Sequence, residues 1–195
     1  MEAIANALTD YCLRKKFITE DKREIYCYGF KLIFADVINF SIVLILALLF
    51  KQIFSGIAFL FTLCCVRKHS GGFHAKTFWL CRISLIITFV CVLALSMLVS
   101  ASEFDMLISG IINVFSVVFI SVFSPVRHPN KPLTEEQAKL NKKRAFIASL
   151  LLAALSAALI FAGVGEGVTI SITLLAIVIL MIVGLITVKG GEKNV

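Results

Sequence analysis

Six apolar runs divide this chain, at 28–50, 53–66, 83–101, 106–123, 145–164 and 168–188, and the breaks between them alternate between a few residues and long, base-rich stretches. Five of the runs fall within the roughly 17–25 residues that cross a hydrocarbon core as a helix, so each predicts a transmembrane span. The run at 53–66 is about 14 residues, roughly 21 Å as a helix against a core near 30 Å. It predicts either a short span with snorkelling flanks or a re-entrant segment, and the alternating breaks favour the span. Ser55 and Gly56 within it permit close helix contact.

The polar stretches carry their own signals. Over 1–27, Ile4, Leu8, Tyr11, Cys12, Ile18 and Ile25 recur among charges, the pattern of one or two amphipathic helices at a membrane surface. Arg14, Lys15, Lys16, Lys22 and Arg23 there suit an anionic inner leaflet or an amphipathic peptide. Within 124–144, Thr134 follows two prolines and precedes Gln137 by three residues, which predicts a capped helix start and a surface helix. Gly165, Glu166 and Gly167 predict a tight turn, and 189–195 is a tail. The expected fold is all-α: one integral membrane domain, an N-terminal amphipathic region at 1–27 and a six-span bundle at 28–188, with loops at 67–82 and 124–144 on one side.

Composition agrees with a membrane protein, at 59% hydrophobic and a mean hydropathy of +0.98. The net charge of +7 does not point to nucleic acid, because the position of the bases explains it better. Of the 19 basic residues only Lys51 falls in the three short breaks, so both termini and the two long loops are expected on the cytoplasmic side. No cleavable signal peptide is expected, since 1–27 mixes acids and bases before any long apolar run. None of the six cysteines falls in the short outward breaks, so free thiols are expected.

The groups capable of chemistry gather at 67–81, which reads RKHSGGFHAKTFWLC. His74 offers an imidazole base, and Cys81 a thiol that becomes a strong nucleophile on losing its proton. Seven residues apart on one straight helix they would stand about 10.5 Å apart along the axis, too far for a hydrogen bond. Gly71 and Gly72 supply a break, so His74 is expected on a loop folding back towards Cys81 at the start of the next helix. The plainer alternative is a solvated histidine and a packed cysteine. Asp36, an acid inside the first span, either orients His74 or pairs with Lys31 in a packing role, and the second is the commoner arrangement. Cys64 and Cys65 rank below Cys81 as thiols.

On Arg67, Gly72, His74 and Cys81 in their mutual spacing, with Phe78 and Trp79 before the thiol and Asn130, Lys131 and Pro132 after the fourth run, the chain resembles the accessory gene regulator B (AgrB) family of membrane cysteine endopeptidases in peptide quorum sensing. The resemblance implies that His74 and Cys81 are catalytic, with Arg67 and Gly72 in support; Gly71 and Asp36 join them as supporting candidates from the local pattern. It implies an AgrD-like precursor peptide as substrate, cleaved to a thioester acyl-enzyme that the peptide's own thiol resolves into a thiolactone. Arg127, Lys131, Lys142, Lys143 and Arg144 would hold the peptide's acidic tail or contact the inner leaflet. No cofactor and no metal is expected: His69, His74 and Cys81 match no standard zinc spacing. The rival from another class is a non-catalytic transporter or peptide-binding protein with Asp36 and Asn39 along a ligand path. Small residues at Ala153, Ala154, Ala157 and Ala158 favour helix contact and are consistent with a homodimer.

Overall fold

The computed structural model of the chain describes residues 2–71, 78–126 and 134–192. Seven α-helices account for nearly all of them: α1 (Glu2–Arg14), α2 (Arg23–Leu49), α3 (Ile53–Ser70), α4 (Phe78–Ser100), α5 (Asp105–Phe123), α6 (Glu135–Phe161) and α7 (Glu166–Glu192). Six helical stretches, one from each of α2 to α7, are long and apolar enough to cross a membrane, so this is a multi-pass membrane protein. Large apolar side chains that a soluble fold would bury stand exposed around the bundle, among them Phe54, Leu98, Val114 and Phe161.

α7 is the axis of the bundle and packs against α3, α4, α5 and α6. Of its apolar window 56% is buried, against 22% for α5 and for α6. An unbroken series from Val168 to Leu174 is buried on every face, as expected of a helix surrounded by others. Within it, Thr173 is satisfied locally, its Oγ1 donating to the Thr169 carbonyl at 2.6 Å. At the end of α7 nearest α6, Ser156 Oγ donates to the Gly167 carbonyl (2.8 Å) and lies 2.6 Å from Ser171 Oγ, while Asn113 Nδ2 of α5 donates to Ser156 at 3.2 Å. This small polar joint locks three helices where lipid offers no hydrogen bonds. On the other side, Gly56 of α3 meets Ala47 of α2, and the Phe59 and Phe89 rings of α3 and α4 lie 5.2 Å apart.

Two elements differ from the sequence expectation and a third gains a partner, each for a local reason. α1, expected as an amphipathic surface helix, runs back along the start of α2. Glu2, Asn6 and Asp10, spaced one helical turn apart, meet Lys31, Cys27 and Arg23 at 2.9, 3.0 and 2.8 Å. α3 continues past 66 through Arg67, Lys68 and His69 to Ser70, about 27 Å in all, so it has nearly the length of a span. The capping box at Thr134 and Gln137 forms as predicted, yet the helix it starts does not end at the surface but runs on into the fifth span. No breaker lies between Glu135 and Phe161 to stop it.

Candidate active site

Cys81 stands in the first turn of α4, partly buried, and the helix before it ends at Ser70, so the stretch from 67 to 82 is helical at both ends rather than a loop throughout. Gly71 makes the ending. It takes a left-handed φ of +71°, donates its N–H to the Arg67 carbonyl at 3.2 Å, and pairs with Val126 beyond α5. The Val126 N–H donates to the Ser70 carbonyl at 2.9 Å. A Cβ at position 71 would stand 2.6 Å from the Val126 carbonyl oxygen, so both the backbone angle and the close approach require glycine. The strands of chain leaving α3 and α5 are thereby joined where the two long loops begin.

Around Cys81 the helices bring polar groups from three elements. The Arg67 guanidinium of α3 is within electrostatic range of the Cys81 thiol and of Asp36 on α2. Arg82, next in sequence to the thiol, donates through Nε to Asn39 Oδ1 on α2 at 3.3 Å, and its guanidinium stacks 4.9 Å from the Trp79 ring centroid. Asn39 is 7% exposed, so its amide is committed to this contact inside the protein. Sequence reasoning placed Asn39 only on a rival ligand path; its spacing of three from Asp36 was the available signal, since both belong to one side of α2.

The remaining candidates divide. His74, Gly72, Arg127 and Lys131 lie outside the described residues. Asp36 is exposed and does not pair with Lys31, whose ammonium is held by Glu2 instead because α1 folds back against it. That hydrogen bond also holds the Glu2 carboxyl below its ordinary range. His69 faces away from the thiol's helix, with Nδ1 3.4 Å from Asn141 Oδ1 on α6. All six cysteines are unpaired. Lys142, Lys143 and Arg144 are exposed on α6, and the first two gather with Lys139 beside α5, leaving Arg144 apart. Ala153 packs on the core while Ala154, Ala157 and Ala158 stay exposed.

Comparison with known proteins converges on one family. The family model for accessory gene regulator B matches residues 1–188. Over 136 residues the chain is 31% identical to the putative AgrB-like protein 2 of Clostridium perfringens, covering 68% of this chain and 64% of that protein. It is 32% identical over 87 residues to accessory gene regulator protein B of Staphylococcus aureus (45% of this chain, 44% of that protein) and 35% identical over 65 residues to protein FsrB of Enterococcus faecalis (33% and 27%). The matches thus span less than two thirds of these relatives' length. No solved structure matches the chain.

Proposed function

The chain belongs to the accessory gene regulator B family of bacterial quorum sensing, and from that premise we propose that it is a membrane-embedded cysteine endopeptidase that trims and cyclises an AgrD-like precursor peptide. The observation that carries the reading is the placing of Cys81: an accessible thiol in the first turn of a helix, in the field of Arg67, just beyond a glycine-terminated break.

In this mechanism His74 takes the Cys81 proton and the sulfur attacks the scissile carbonyl carbon. The C–N bond breaks, the proton passes from His74 to the leaving amine, and a thioester joins the peptide to Cys81. The peptide's internal thiol then gives its proton to His74 and attacks the thioester. The ring closes, and Cys81 leaves as a thiolate that recovers the proton. Exchange of one thioester for another is near balance, whereas making a thioester directly from an amide is uphill. A lipid-edge site that limits water protects the intermediate from hydrolysis.

By the distribution of basic residues, both termini and the site face the cytoplasm. Of the five basic residues expected to hold the acidic tail of the peptide, Arg127, Lys131 and Arg144 keep that role in this reading, while Lys142 and Lys143 line a groove between α5 and α6. The two-subunit arrangement that the alanine face would permit is a further part of this reading.

Co-expression with the small open reading frame beside this gene, followed by mass spectrometry of the released peptide, tests it. Cys81→Ala should abolish cleaved and cyclised product, and His74→Ala should lower it by about 10²–10⁴-fold. Undiminished processing in Cys81→Ala would remove the reading. A transporter or binding protein would keep its function in that variant.

A further inference from the structure

Away from Cys81, the end of α5 and the first turns of α6 border a shallow, open groove that the proposed reaction does not use. One part, about 490 Å3, is lined by Ser121, Lys139, Lys142, Lys143 and Phe146. A second, about 370 Å3, continues from it past Ser124 and shares Lys139 and Lys142. α4, which carries Cys81, packs chiefly on α2 and α7, so this groove belongs to a different part of the bundle.

Its chemistry has two halves. Lys139 and Phe146 each stand three or four residues from Lys142 and from Lys143, which are adjacent in sequence, so the four share one side of α6. Lys142 is held there by donating to the Val122 carbonyl at 3.3 Å. Ser124, 5% exposed and lining the groove, has a hydroxyl with no hydrogen-bond partner. Three ammonium groups and a spare hydroxyl suit a phosphate. Glu135 lines the same second part as Ser124, so the phosphate belongs where the two parts meet, over the shared Lys139 and Lys142 with Lys143 on one side and Ser124 on the other. The other half is apolar: Val118, Val122, Phe123, Phe146 and Leu150 are exposed on the adjoining faces of α5 and α6. The lysines therefore stand where α6 passes from polar sequence into its spanning part, the level of lipid headgroups.

We propose that the Lys139–Lys142–Lys143 groove between α5 and α6 is a specific site for an anionic phospholipid, with the phosphate on the lysines and Ser124 and the acyl chains along the exposed apolar faces below. An acidic peptide segment would match the lysines but not the long apolar walls, which is why the lipid is favoured. The inference uses the bilayer placement above but not the chemistry of Cys81, so either can fail alone.

The full-length protein, delipidated in a mild non-ionic detergent, is titrated with dioleoylphosphatidylglycerol and, separately, with dioleoylphosphatidylcholine; bound lipid is counted by native mass spectrometry. One phosphatidylglycerol should bind per chain in preference to phosphatidylcholine. Each lysine at an anionic group is worth about fivefold in affinity, so K139Q/K142Q/K143Q should weaken binding on the order of a hundredfold. Lys→Arg at the same three positions should preserve it, and K51Q at the opposite end should change it less than twofold. Should the triple variant not fold, K143Q alone should cost about fivefold and Ser124→Ala a smaller factor. Glycerol phosphate should not compete at equal concentration, because it lacks the acyl half. Equal phosphatidylglycerol binding by wild type and lysine variants would overturn the proposal. So would a hexaglutamate peptide that displaces bound phosphatidylglycerol at equal concentration.

Discussion

Two junctions in this protein use the same glycine device for opposite ends. Between α6 and α7, Gly163 takes φ +76° and Gly167 brings α7 against α6, where an added Cβ would stand 2.6 Å from the Ser156 carbonyl oxygen. That turn closes on itself, and its polar groups are consumed by Ser156, Ser171 and Asn113. Between α3 and α4, Gly71 has nearly the same φ, +71°, but its close neighbour is Val126, from beyond α5. The first glycine joint holds adjacent helices, and its hydroxyls bond to one another and to the Gly167 carbonyl. The second fixes where α3 ends against the chain leaving α5, and the helix that follows carries Cys81 in its first turn. For the proposed reaction this second arrangement is the useful one, because it fixes the backbone before the thiol without consuming the thiol itself.

The contrast is sharpest at the two glycines. Gly71→Ala combines a left-handed backbone angle costing roughly 1–2 kcal/mol with a clash against the Val126 backbone. Peptide processing per folded molecule should fall by at least about tenfold, read by product formation normalised to folded protein. Gly167→Ala should instead lower stability by about 1–3 kcal/mol, seen as an earlier thermal transition in detergent, with processing per folded molecule nearly unchanged. If both variants lost only stability, the two junctions would not differ in kind.

Asn39→Ala is a subtler probe. It removes the acceptor that ties Arg82, the residue after Cys81, to α2, a hydrogen bond to a charged group worth about 1.5–3 kcal/mol. A positioning role predicts a kcat lowered by about tenfold with KM unchanged, and partial recovery in Asn39→Gln. A purely structural role would shift thermal stability and leave the ratio alone.

The smallest expected effect concerns α1. Because the hydrogen bond from Lys31 holds Glu2 below its ordinary value of 4.5, the contribution of that tie is complete above that value and lost as pH falls through the lowered folded one. Hydrogen exchange of α1, corrected for intrinsic rates, should accelerate in that acidic window. Glu2→Gln should show no such step.

The helices were legible because membrane spans announce themselves by length and composition, and even the Thr134 cap could be read from four residues. Where reading stopped short, the missing information was tertiary. Lys31 looked like a partner for Asp36 until α1 folded back and delivered Glu2. The bound of 53–66 followed apolarity, whereas α3 continues through charged residues because nothing before Gly71 ends it. The polar seam of Asn113, Ser156 and Ser171 gave no signal, since isolated hydroxyls in apolar runs look alike until the helices bring them together. Cys81 was singled out by the motif and its resemblance; the Asn39 contact with Arg82 required the partner across the interface.

The central claim is that the Cys81 sulfur carries the peptide as a thioester. Its most direct measurement is intact-protein mass spectrometry of the enzyme co-expressed with a precursor whose internal cysteine is replaced by alanine, so that ring closure is blocked. The account predicts an adduct of the trimmed peptide on Cys81 that is released by hydroxylamine, absent from Cys81→Ala and strongly reduced in His74→Ala. Trimmed peptide accumulating at the wild-type rate in Cys81→Ala, with no adduct on any cysteine, would contradict it.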